Sequence, residues 1–68
     1  MLTAIIGENA GKIWKTLNEK GPMNINALKK TTKLDDKNLY LALGWLAREG
    51  NLRFQQKQRK TVVELSRT

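Results

Sequence analysis

At Gly50 the hydrophobic pattern of this chain changes its period. Before that glycine, apolar residues recur at helical spacing; after it, they alternate one by one. A helix returns a side chain to the same face every three or four residues and a strand every two, so the two patterns demand different elements. The chain is thereby confined to the α+β class, helix-rich, with its sheet at the end.

Ile6, Ala10, Ile13 and Leu17 form the first buried stripe, with Trp14 beside them assigned to the same core. Glu8, Lys12, Lys15 and Glu19 mark the opposite side, and Glu8 precedes Lys12 at the favourable i,i+4 distance. The helix is expected over about residues 3–20, ending where Gly21 suits a left-handed position and Pro22 cannot continue. Asn24 is placed to cap a second helix over about 25–32, with Ile25 and Leu28 inward and Lys29, Lys30 and Lys33 outside. After a tight turn at Leu34, Asp35 caps a third helix over about 36–49, whose stripe is Leu39, Ala42, Leu43 and Leu46. In the final segment, about 51–66, Leu52 and Phe54 alternate with Arg53 and Gln55. The polar tip QKQRK and the run TVVEL complete a β-hairpin with Val63 and Leu65 inward. Its loop has no Asn-Gly signal, so turn type and register stay open.

The 68 residues are read as one domain. A chain of this size buries only about 60% of the surface its unfolded form exposes. Small domains offset that with disulfides, metals or partners. Cys and His are both absent, which leaves no disulfide, no zinc site and no Cys or His nucleophile. GENAGK lacks the spacing and ending of a phosphate-binding P-loop. No enzyme, metal or other cofactor is expected, and no small-molecule ligand is evident. The opening MLTAIIGENAGK has too short an apolar run for a signal peptide, and no stretch is long enough to span a membrane. A soluble, cytoplasmic protein is expected. Thirteen Lys and Arg against six Asp and Glu leave a net charge of +7. A polyanion is the natural partner for such a charge.

Three helices followed by a basic-tipped hairpin is the element order of a winged helix-turn-helix. NINALKKTTKLDDKNLYLALGWLAREGNL resembles the helix-turn-helix core of bacterial winged-helix regulators, and ALGWLAREGNLRF resembles a small family of short, uncharacterised bacterial winged-helix proteins. The likeness runs from about Ile6 to Leu65. It implies the winged-helix fold and, for the wider superfamily, DNA binding.

On that reading the third helix enters the major groove. With Leu39, Leu43 and Leu46 inward, Lys37, Leu41, Gly44 and Arg48 face outward, flanked by Tyr40 and Trp45. Leu41 is suited to a thymine methyl, and Lys37, Asn38 and Arg48 to base edges or phosphate. Lys29, Lys30 and Lys33 add positive charge from the second helix. Arg53, Lys57, Arg59 and Lys60, interleaved with Gln55, Gln56 and Gln58, give the wing donors for phosphate. Asp35 and Asp36 stand at the DNA-facing end of the third helix as cap and dipole complement.

The leading expectation is a small bacterial transcriptional regulator that binds duplex DNA as a homodimer. The alternative is a protein-interaction or dimerisation module without DNA binding, docking through Leu41, Gly44 and Trp45, because exposed apolar patches mark protein contacts. Gly44 in a helix interior costs about 1 kcal/mol relative to Ala, which favours close approach of another backbone there.

Overall fold

The computed structural model describes residues 2–66. Its elements run α1 (Leu2–Lys20), β1 (Met23–Asn24), α2 (Ile25–Thr32), α3 (Asp36–Arg48), β2 (Leu52–Lys57) and β3 (Lys60–Leu65). Glycine and polar caps set most of the boundaries. α1 stops at Gly21, whose φ of 81° is left-handed and whose N–H donates to the Leu17 carbonyl at 2.8 Å. The Asn24 side-chain oxygen accepts from the Ala27 N–H at 2.8 Å and starts α2. α2 ends on Lys33, a lysine held at φ 61°, with its N–H donating to the Lys29 carbonyl. A non-glycine residue in this region costs about 1–2 kcal/mol. That strained corner turns the chain within a few residues from α2 into α3.

The Asp35 carboxylate accepts from the Asn38 N–H at 2.9 Å and begins α3. At its other end Gly50, φ 74°, donates to the Ala47 carbonyl, and Asn51 donates to that of Leu46. These two bonds make a Schellman ending, which satisfies carbonyls the helix would otherwise leave bare.

The strands form an antiparallel sheet in the order β1-β3-β2. β2 and β3 are the hairpin, in a register that sets Leu52 opposite Leu65 and Phe54 opposite Val63. Its tip is the two-residue connection Gln58–Arg59, between the paired Lys57 and Lys60. Only Gln58 of the two has a positive φ, so the turn is not type I′, which needs both. β1 is an addition to the hairpin expected from the sequence: Met23 pairs with Val63 and Asn24 with Val62. β3 is thus the central strand.

The core gathers Ala10, Ile13 and Leu17 from α1, Leu28 from α2, Leu39, Ala42, Leu43 and Leu46 from α3, Leu52 from β2 and Val63 from β3. Met23, Ile25, Leu34 and Leu65 pack around it. One aromatic departs from the sequence reading, and a second lies exposed on the sheet. Trp14 is not core: it is 44% exposed, because one residue beyond Ile13 is a step of about 100° around the helix and passes the edge of the buried stripe. Phe54 shares a sheet face with Val63 but is also exposed, since β2 is an edge strand while β3 is flanked on both sides. No helix among the described residues is long and apolar enough to cross a membrane.

Candidate nucleic-acid interface

α3 turns Leu39, Ala42, Leu43 and Leu46 into the core, and this fixes what it shows to the outside. Lys37, Tyr40, Leu41, Gly44, Trp45 and Arg48 are all exposed. The exposure of Tyr40 (57%), Leu41 (37%) and Trp45 (38%) makes the middle of this face apolar, between Lys37 and Arg48 at its two ends. An alanine methyl at Gly44 would meet nothing within 4 Å, so no intrachain contact requires the glycine. Asn38 is half-buried, and its backbone N–H is taken by the Asp35 cap.

The charges of α2 are not equivalent. Lys29 Nζ lies 2.7 Å from the Asp36 carboxylate, the one ion pair among the described residues. The hydrogen bond to Asp36, reinforced by its negative charge, holds the Lys29 ammonium above the usual lysine range. This pair offsets the charge of a carboxylate in the first turn of α3. Lys30 and Lys33 remain exposed cations, and with Lys29, Asn26, Leu34 and Asp35 they line an open groove of about 600 Å³.

The wing folds back toward α3. Arg59, Lys60 and Thr61 share a groove of about 190 Å³ with Tyr40 and with Asn24, Ile25 and Asn26 at the start of α2. Residues far apart in sequence are thereby brought to one side of the molecule: two wing cations and an aromatic of α3. Lys57 is exposed at the hairpin tip, and Arg53 is exposed at its base near Glu64 and Pro22. Two of the wing glutamines are engaged within the sheet. Gln55 donates to Glu64 at 2.7 Å, and the Gln56 carbonyl accepts from the Thr61 hydroxyl at 2.9 Å. These cross-strand bonds brace the wing and commit one of the two Gln55 amide N–H donors to Glu64.

Asn26 lines both grooves and was not singled out by sequence reasoning. An asparagine two residues after a cap carries no distinguishing signal; the turn into α3 and the return of the wing give it its groove neighbours. Among the described residues no group of three or more His, Cys, Asp or Glu gathers as a metal site would require.

The model of the winged helix-turn-helix domain family DUF2582 matches residues 1–65. The chain belongs to the DUF2582 family. The fold of this DUF2582 domain is therefore that of the winged helix, a fold of DNA-binding type, with β2 and β3 as its wing. It is similar to the solution NMR structure of a protein from Bacteroides thetaiotaomicron, with a TM-score of 0.86 and 35% identity. The match covers 96% of this chain and 79% of that one. A comparison with curated proteins returned no match.

Proposed function

We propose that this domain binds duplex DNA and acts as a small cytoplasmic transcriptional regulator, with α3 in the major groove and the wing on the adjacent backbone. The observation that carries the reading is the shared groove of Tyr40, Arg59 and Lys60, which sets the exposed side of α3 and the cationic wing tip toward one surface. Lys30, Lys33, Lys57, Arg59 and Lys60 supply phosphate contacts, which fix position and most of the affinity. Lys29 adds to them while sharing its charge with Asp36. Lys37, Asn38, Tyr40, Leu41 and Arg48 stand where base edges are read.

The test is binding to duplexes of random sequence, followed over a salt titration. Affinity at low salt that falls steeply as salt rises supports the proposal. Undetectable binding at low salt overturns it, because a domain with a +7 charge that uses this surface on DNA must show at least non-specific affinity. A second reading follows from the apolar cluster of Leu41, Gly44 and Trp45: α3 docks a protein instead, and DNA is not bound. Substitutions on α3 then impair complex formation with that protein and leave nucleic acid irrelevant.

A further inference from the structure

The side of α3 opposite its buried stripe divides its chemistry by position. At about 100° per residue, Lys37, Leu41, Gly44 and Arg48 fall on one line along that side, with Trp45 a turn beyond Leu41 on its flank. All five are exposed. The cations stand at the two ends. Between them the line offers no side-chain donor or acceptor, only Leu41 and the bare backbone of Gly44. A Cβ at Gly44 would meet nothing within 4 Å, so the space over the line is open there. In the major groove, guanine, adenine and cytosine present polar edge atoms alone, whereas thymine adds a C5-methyl group to its carbonyl acceptor. An apolar side chain laid on a polar edge cuts donors and acceptors off from water without replacing their partners, which is costly. Of the four bases, only thymine rewards contact from a leucine.

We infer that Leu41 selects thymine by its C5-methyl group, so that the duplexes this domain prefers carry a thymine under Leu41, between contacts made by Lys37 and Arg48. The inference rests on the DNA-binding reading above and adds which base is chosen and by what contact. Charge complementarity makes a duplex the occupant of this apolar spot. Lys37 and Arg48 bracket it, and Tyr40 on its other flank shares a groove with Arg59 and Lys60 of the wing. The carboxylate of Asp36, in the first turn of the same helix, is paired with Lys29. An apolar centre ringed by cations matches a methyl group set among phosphates. Gly44 contributes by omission: with no side chain on the line, nothing of α3 holds Leu41 away from the base edge. Trp45 broadens the apolar contact and shields the methyl group from water.

The experiment selects duplexes from a random pool with the full chain, then remakes the selected duplex with deoxyuridine in place of each thymidine in turn. That exchange removes the methyl group and keeps the base pair. Fluorescence anisotropy is expected to show a roughly three- to fivefold loss of affinity at the position under Leu41, the effect of one buried methyl group. The salt slope stays the same, because no phosphate contact changes. Leu41→Ala is expected to bind the thymine duplex more weakly and to lose the distinction between thymine and uracil there, while Arg48→Ala weakens binding and keeps it. Circular dichroism melts check that both exposed substitutions leave the fold intact. Equal affinity for every uracil-substituted duplex, with salt-dependent binding retained, overturns the inference and leaves the DNA-binding reading standing. Selected duplexes with no thymine in common do the same, as does a methyl effect undiminished in Leu41→Ala. Undetectable binding to any duplex at low salt overturns the DNA-binding reading and this inference with it, and leaves the apolar spot to a protein partner.

Discussion

Lys29 on α2 and Asp36 in the first turn of α3 are joined by a 2.7 Å ion pair across the tight turn. Both side chains are exposed, so the pair contributes little to stability. Its larger effect is on what DNA would meet. Asp36→Asn removes an anion from the α3 terminus and releases a cation, and it is expected to strengthen binding to any duplex by roughly 3- to 10-fold at low salt. Fluorescence anisotropy on unrelated duplexes measures this. The pH behaviour has a definite sign. Lys29 is held above the usual lysine range in the folded chain, so the pair's contribution is complete at neutral pH and is lost as pH rises through that elevated value. Melts at alkaline pH should therefore show wild type losing its small advantage over Asp36→Asn.

Gly50 and Gly44 have opposite sensitivities. Gly50 sits at φ 74° within the Schellman ending of α3, and a β-branched side chain there is strained whatever space surrounds it. Gly50→Val is expected to cost about 1–3 kcal/mol. Gly44 has helical backbone and open space, so Gly44→Ala is expected to stabilise by about 1 kcal/mol. In a domain of this size that separates the two melting temperatures by roughly 10 °C or more, which circular dichroism resolves. Equal melting temperatures would remove the structural role assigned to Gly50.

At the wing tip, Arg59 and Lys60 are exposed and make no intrachain ion pair among the described residues. Replacing both with Ala should leave the melting temperature nearly unchanged. If each contacts a phosphate, the slope of log affinity against log salt falls by about 2, equally on all sequences, because each lost contact removes about 0.9. An unchanged slope would take the wing off the DNA.

Leu41 and Arg48 are exposed on α3 and are not among the buried core residues. Their replacement by Ala is expected to change preference among duplexes, with each lost base contact worth about 1–3 kcal/mol of discrimination. Selection from a random duplex pool by wild type and by each variant measures it. Identical selected sequences would show that these positions read no bases.

The sequence by itself determined the three helices, the hairpin and their order. Caps and breaks are local chemistry: the Asn24 and Asp35 carboxamide and carboxylate each reach an N–H three residues on, and Gly21 and Gly50 hold left-handed backbone. The 3.6-residue stripe of α3 was legible for the same reason, and it fixed which side chains face outward before any neighbour was known. Only the tertiary structure decided what depends on distant partners. β1 is two residues long, too short for any period, and exists because Met23 and Asn24 meet Val63 and Val62 some forty positions away. The exposure of Trp14 and Phe54 depends on where neighbouring elements stop, which residue type does not encode. The joining of Arg59 and Lys60 to Tyr40, and of Lys29 to Asp36, needed the Lys33 corner and the hairpin register to bring separate elements onto one side. Periodicity assigns each side chain a face of its own element; only packing sets that face against another.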